Sequence, residues 1–392
     1  MILALIILFS FFCYYLAKKR IIFLASHFRI KSRSLPRYYG INLAVWNFTI
    51  SGLAVIAMCL YEHLGYHVNY TYAYLVCIAV FLTLLIYIYA ALKGHFRAQA
   101  HFESMLKGVF NIAALVSILL TLAILFTILF EAMKFFSLVP IENFILGMRW
   151  SPQSGEFGVI PVLSGTILIT FIAMCISIPL GIFSAIYLTE YTSKARRDFI
   201  KPVLEILAGI PTVVYGYFAA LIVGPFIRVV GEKMGLAVTT ESALAAGIVM
   251  GIMIIPFVLS LTDDAISSVP QNLRDASLAL GSTKAEMIVK VIIPAASPGI
   301  IGAMLLAVSR AVGETMIVTM AAGIHAKLTL NPLDSVSTFT AQIVALLVGD
   351  HEFDSAKTLS AFALALTLFI MTLFLNLWAV IVIKRHSKRN YE

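Results

Sequence analysis

The sequence predicts an all-α polytopic membrane protein, and three observations carry that prediction. Apolar residues make up 61% of the 392-residue chain, charged residues only 12%, and mean hydropathy is +0.97. An average soluble domain is about a quarter charged and under half apolar. Apolar stretches of about 20 residues, the length that crosses ~30 Å of hydrocarbon as a helix, recur along the chain. The loops between them alternate between rich and poor in Lys and Arg. The formal charge of +8 resides largely in those loops. No basic run interleaved with aromatics lies outside them, so the expected surroundings are membrane lipid and not nucleic acid.

Nine stretches are long and apolar enough, or nearly so: 1-17, 41-60, 72-92, 108-130, 161-188, 203-229, 243-263, 299-323 and 357-383. Each is expected to be helical, because lipid offers no partner to an unpaired backbone amide. The first has its charges after the apolar run, as Lys18-Lys19-Arg20, and no A-x-A site follows. It reads as a retained anchor instead of a cleaved signal. Cys13, Cys59, Cys77 and Cys175 each fall inside an apolar stretch, where a thiol acts as a small hydrophobe. Disulfides and metal sites are therefore not expected, and the histidines show no ligand spacing.

Orientation follows from the basic loops. Lys18 to Arg37 form one group; Lys93, Arg97 and Lys107 the next; then Lys194, Arg196, Arg197 and Lys201; then Arg274, Lys284 and Lys290; and last the tail from Lys384 to Arg389. Between these lie loops holding Arg149, Lys233 or Lys327 singly, or no basic residue at all. The positive-inside rule then puts the N-terminus outside and the C-terminus in the cytoplasm. Residues 1-107 read as an N-terminal membrane extension of about three spans. Residues 108-392 read as a six-span domain that carries nearly all the intramembrane polar residues.

The cytoplasmic loop 264-298 has the punctuation of two short helices. Ser268 is placed to cap a helix with Pro270 in its first turn, and Gly281 to stop it. Thr283 and Glu286 form a capping box for a second helix, Lys284 to Ile292, expected to end at Pro294. Asp275, Ala276, Ala279 and Leu280 would present a small, partly apolar surface suited to a groove on another protein; an ordinary amphipathic loop on the membrane surface fits the pattern equally well.

In the span 299-323, Arg310 and Glu314 stand four residues apart, one turn on the same face if the helix is continuous. A charge at mid-bilayer costs about 2.5–3.5 kcal/mol, so both should face the protein interior or a watered cavity. One reading is a neutralising intrahelical pair that helps assembly. The other is a path for a charged solute, in which the guanidinium fork meets an oxyanion. Glu314 would then hold Arg310 or receive the solute's proton.

Two stretches carry a resemblance. Asp275-Ala276-Ser277, three residues, Gly281, nine residues and then Val291-Ile292-Ile293-Pro294 resembles the EAA loop of ABC-importer permeases, with Asp for Glu and Ser for the second Ala. Arg310-Ala311-Val312-Gly313-Glu314-Thr315-Met316 is similar to a signature of phosphate ABC permeases of the PstC type. Lys201 to Gly216 and Thr340-Ala341-Gln342-Ile343 agree with it, so the resemblance covers about residues 108-390.

The resemblance implies a six-span type I ABC-importer permease core plus three extra N-terminal helices. It implies that the loop docks on an ATPase subunit, and that Arg310, Glu314 and Thr315 line the route of inorganic phosphate. Implied partners are a related permease of the PstA type, two ATPase subunits of the PstB type, and a periplasmic or surface phosphate-binding protein of the PstS type. The chain has no G-x-x-x-x-G-K-[ST] loop, so ATP is expected to be used by the ATPase partner, with no cofactor held here and no enzyme activity. Rivals are the same architecture carrying another oxyanion (phosphonate, molybdate or sulfate), or an ion-coupled secondary transporter, in which the EAA-like loop would have no task.

The remaining polar residues read as structural: Glu205 as an i,i+4 partner of Lys201, Asp263 with Asp264 as a solvated pair at the inner interface, and Trp150 as an interfacial anchor. Pro202, Gly209 and Pro211 mark a place for a kink in the span 203-229.

Overall fold

The computed structural model of the protein describes residues 2–27, 34–63, 71–90, 98–348 and 355–389. Of the basic residues used for orientation, Arg29, Lys31, Arg33, Lys93 and Arg97 lie outside the described residues. The helices are α1 (Ile2–His27), α2 (Pro36–His63), α3 (Thr71–Ala90), α4 (Ala98–Leu138), α5 (Ile141–Leu146), α6 (Ile160–Ile186), α7 (Lys194–Ala208), α8 (Thr212–Phe218), α9 (Gly224–Lys233) and α10 (Ala243–Ser267). They continue with α11 (Gln271–Ala279), α12 (Lys284–Met287), α13 (Ile293–Val312), α14 (Met316–Ala321), α15 (Phe339–Leu347) and α16 (Ala356–Arg389). A two-stranded hairpin, β1 (Trp150–Ser151) against β2 (Glu156–Phe157), pairs Trp150 with Phe157 antiparallel. Wide π-helical turns extend α6 over Tyr187–Tyr191, join α8 to α9 over Ala219–Val223, and join α12 to α13 over Ile288–Ile292.

Among the described residues, seven helices are long and apolar enough to cross a membrane: Pro36–Met58, Ala98–Leu138, Ile160–Tyr191, Thr212–Lys233, Ala243–Ser267, Lys284–Val312 and Ala356–Ile381. Tyr74–Ile88 is a shorter apolar helix. All-α, polytopic architecture is what the composition demanded.

The chain forms two compact units, Met1–Ala123 and Ile124–Glu392. In the first, α1 packs along α2 and α3 around Ala17, Ile21, Tyr39, Leu43 and Ile88. Its buried amide nitrogens are bonded: Asn47 Nδ2 donates to Ser10 Oγ at 3.0 Å, and Asn42 Nδ2 to the Ala98 carbonyl at 3.3 Å. Such bonds hold helices together where apolar contact gives no advantage over lipid.

The second unit is built on α6 against α10, with α13 and α14 completing a core that includes Ile169, Met250, Ile254, Val258, Ala307 and Ile317. Close approach of α6 and α10 depends on small residues. A Cβ at Gly247 would sit 2.6 Å from Ile172 Cγ2, and one at Gly181 would sit 2.7 Å from Val258 Cβ. A separate aromatic cluster of Phe135, Phe144, Trp150 and Phe157 packs with Phe339 and Leu346 at one end of this unit.

Three local expectations are corrected. The stretch 203-229 is not one helix: amphipathic α7 stops at Ala208, and the apolar helix starts only after Pro211. The cause is Pro211 itself, whose backbone at φ −55, ψ 134 is extended and interrupts helical winding. Pro294 does not end the second loop helix. It lies in the first turn of α13, directly after the π-helical turn, where its missing N–H is tolerated and the helix runs on. Ser268 does not cap α11 but is the C-cap of α10, its Oγ donating to the Ala265 carbonyl at 2.7 Å.

Candidate functional site

At the end of α10 remote from Ser242, the loop between α10 and α13 folds into α11 and α12 around a glycine corner. Gly281 takes φ +84, a left-handed conformation that a side chain resists. Thr283 accepts from the Glu286 amide, and the Glu286 carboxylate accepts from the Thr283 amide at 3.0 Å, completing the capping box. Asp275, Ala276, Ala279, Leu280 and Gly281 are all exposed together, and Leu280 is 88% exposed. An exposed leucine at a turn, beside two alanines, is the small partly apolar surface that the sequence suggested. Pro294 is set apart from it, in α13.

That surface is backed by ion pairs. Buried Arg274 donates to Glu190 Oε1 from Nη2 at 3.0 Å and from Nε at 3.1 Å, and to the Ile266 and Val269 carbonyls. The Asp263 side chain, 1% exposed, accepts from Arg197 at 2.7 Å, Lys201 at 2.8 Å and Thr189 at 2.6 Å. Asp263 is therefore a fully engaged buried carboxylate and not a solvated neighbour of Asp264. Lys201 spends its charge there instead of on Glu205, and the bond to Asp263 raises the ammonium pKa above its ordinary value.

Arg310 and Glu314 do not share a helix. The helix α13 ends at Val312, the chain breaks at Gly313–Thr315, and α14 begins at Met316. Arg310 is in the last turn of α13, exposed, with its guanidinium carbon 5.3 Å from the centre of the Phe257 ring. Among the described residues no carboxylate lies within ion-pair distance of it. Glu314 turns elsewhere: its Oε1 accepts from the Thr315 and Met316 amides, both at 3.0 Å, and caps α14. Its own carbonyl accepts from Thr340 Oγ1 at 2.7 Å. The expected intrahelical pair is thus replaced by a guanidinium against Phe257 and Met253 Sδ (3.9 Å) and a carboxylate committed to backbone. Thr315 sits within the break, its Oγ1 3.4 Å from the Gly313 carbonyl.

Residues 177–388 match the family described as the binding-protein-dependent transport system inner membrane component, which is more than half of the chain. The chain belongs to this family. The permease is 35% identical over 235 residues to the probable ABC transporter permease protein YqgH of Bacillus subtilis, covering 59% of this chain and 74% of the relative. It is 32% identical over 295 residues to the phosphate transport system permease protein PstC of Haemophilus influenzae, covering 70% of this chain and 90% of the relative. Among solved structures, the bacterial alginate ABC transporter in complex with an alginate-bound periplasmic protein superposes with a TM-score of 0.47 at 16% identity, covering 70% and 94% of the two chains. The permease is accordingly a multi-pass inner-membrane ABC transporter subunit and not an enzyme.

Sequence reasoning missed several residues that frame these sites. Trp150 is buried, not interfacial: Nε1 donates to Gln342 Oε1 at 2.9 Å. Gln342 in turn donates to the Ile324 carbonyl and to Ser337 Oγ. These residues border a cleft of about 740 Å³ that is also lined by His325, Lys327, Asp334 and Lys357. Glu190 and Arg274 carried one available signal, since a long charged side chain near an apolar span must find a partner. Which partner it found depended on tertiary contact.

Proposed function

We propose that the permease forms, with a related permease of the PstA type, the route by which an ATP-driven importer moves inorganic phosphate inward. Two ATPase subunits of the PstB type would dock on the α11–α12 surface at Asp275, Ala276, Ala279, Leu280 and Gly281, and a PstS-type phosphate-binding protein would deliver the anion from outside. The N-terminus would face outward and the C-terminus the cytoplasm. Residues 1-107 would be an added membrane extension, and the permease itself would hold no nucleotide or other cofactor.

The observation that carries this reading is the state of Arg310. A guanidinium in an apolar span, exposed and with no carboxylate of the described residues in ion-pair reach, needs an anion or water to offset its desolvation. Its planar fork matches two oxygens of a phosphate. The adjacent break at Gly313–Thr315 opens the helix where the solute would pass. The names of the relatives point to the same anion.

The test is uptake of labelled phosphate by the reconstituted complex. Arg310→Gln should abolish uptake while assembly stays normal, and Arg310→Lys should leave partial activity. Undiminished uptake by the Gln variant would remove Arg310 from the route. Competition by excess sulfate, molybdate or phosphonate decides the anion: displacement of phosphate uptake by one of these at lower concentration would transfer the assignment to it.

A further inference from the structure

The ends of α6 and α10 next to the α11–α12 loop are fastened to that loop by charged contacts. Glu190 lies in the π-helical turn that prolongs α6, and its side chain is 6% exposed. Its partner Arg274 lies in α11, one residue before Asp275, with its side chain 11% exposed. Arg274 also donates to the carbonyls of Ile266 and Val269, at and just beyond the end of α10. One guanidinium therefore ties α11 to both spans.

Two further links run in parallel. The Lys284 ammonium at the start of α12 lies 5.1 Å over the ring of Tyr191, the last residue of the same turn. Thr189, next to Glu190, donates to Asp263 of α10 at 2.6 Å, while Arg197 and Lys201 of α7 close on the other side of that carboxylate. Beneath these bonds an apolar cluster of Ala185, Leu188, Leu259, Ile266, Met287, Ile288 and Ile292 fills the space between loop and spans.

Packing alone allows a loop to slide on its bed. A buried ion pair, here with two guanidinium nitrogens on one carboxylate oxygen, does not, because separating it leaves two desolvated charges unpaired. Removing one partner should therefore loosen the loop without removing the surface that a partner protein meets. The position of Glu190 in a π-helical turn adds to this, since such turns aim a side chain where regular winding would not.

We propose that Glu190 and Arg274 are positioning residues of transport: their buried pair locks the α11–α12 loop to α6 and α10, so that a displacement of the loop is delivered to both spans. This rests on the reading that the loop docks an ATPase subunit, and the test keeps the two separate. Wild type, Glu190→Ala, Glu190→Gln and Asp275→Lys would be compared as whole complexes in proteoliposomes. Phosphate moved per ATP hydrolysed, retention of the ATPase subunit on purification, and amide exchange over Gln271–Ala279 would be measured.

For Glu190→Ala the ATPase should stay bound and hydrolysis continue. Phosphate moved per ATP should fall between about 5- and 150-fold, the range of an ordinary coupling free energy. Exchange over α11 should quicken. Glu190→Gln keeps an acceptor and should show the same changes to a smaller degree. A wild-type ratio with unchanged α11 exchange would overturn the linkage, as would a loss of uptake in strict proportion to lost complex. Asp275→Lys should shed the ATPase without quickening α11 exchange. If it keeps the ATPase, the docking assignment fails, while the exchange and ratio of the Glu190 variants still judge the linkage.

Discussion

Glu314 offers the sharpest test of how the break after α13 works. Its Oε1 accepts from two backbone amides, Thr315 and Met316, each at 3.0 Å. Truncation in Glu314→Ala leaves both donors without that acceptor. An orphaned buried amide costs about 1–3 kcal/mol, and because Glu314 is only half-buried the lower figure applies to each, roughly 2 kcal/mol together. In Glu314→Gln the amide oxygen can take both bonds and only the charge assistance is lost, about 1 kcal/mol. The Gln variant should thus melt close to wild type in detergent and retain uptake within about fivefold, since about 1 kcal/mol is a factor of roughly 5 in an equilibrium. The Ala variant should melt lower and transport far less. Uptake measured across pH 5 to 8 separates this from proton handling. If Glu314→Gln is as inactive as Glu314→Ala, or if it abolishes a pH dependence seen in wild type, the carboxylate titrates during transport and its capping role is secondary.

Three further outcomes are expected. Trp150→Phe should leave Gln342 Oε1 without its buried donor and cost about 1–3 kcal/mol, read as a lower melting temperature. Gly281→Val should strain the corner at φ +84 by about 1–2 kcal/mol and weaken retention of the ATPase subunit, whereas Gly281→Asn, which tolerates that conformation, should stay near wild type. Asp334 accepts from Lys327 at 3.0 Å and from Thr329, and these bonds hold its carboxyl below the usual aspartate range. A depressed folded pKa stabilises at pH above the unfolded value of about 3.9 and is lost as pH falls through the folded value. Amide protection over residues 329–334, taken relative to the intrinsic exchange rate at each pH, should therefore fall only on strong acidification, and a loss of protection between pH 6 and 8 would contradict the assignment.

What could be read from the sequence was local. The Thr283–Glu286 box and the Gly281 corner form as expected because each is decided within a few residues. Most of the apolar spans were equally legible, since their length and composition are fixed by the lipid, although among the described residues seven of the nine expected stretches contain a helix long and apolar enough to cross. What could not be read depends on residues far apart in the chain. The bonds from Arg197, Lys201 and Arg274 to their carboxylates join positions 66, 62 and 84 residues apart, and Trp150 meets Gln342 across 192. The same limit explains the Arg310–Glu314 error. Four-residue spacing places two side chains on one face only if the helix continues, and Gly313 with a Glu314 side chain able to bond its own backbone favours a stop.

That stop is satisfied group by group, which argues that it is built into the fold. In lipid, irregular backbone persists only where protein or a watered cavity meets its polar groups. The Glu314 amide donates to the Ala311 carbonyl at 3.2 Å, and the Glu314 carbonyl accepts from Thr340. The Thr315 and Met316 amides go to the Glu314 side chain. On the far side of α14, the Ala322 amide donates to the Val318 carbonyl, and the Ala322 carbonyl accepts from the Val336 amide and Ser335 Oγ. Several groups that a continuous helix would have paired internally are thus paired by another route, which lowers the cost of the break. Its consequence is to free Glu314 from Arg310. On an unbroken helix the two charges would stand together and neutralise one another. With the break, the carboxylate is taken up by backbone, and the guanidinium lies against the Phe257 ring and Met253 with no carboxylate of the described residues in ion-pair reach.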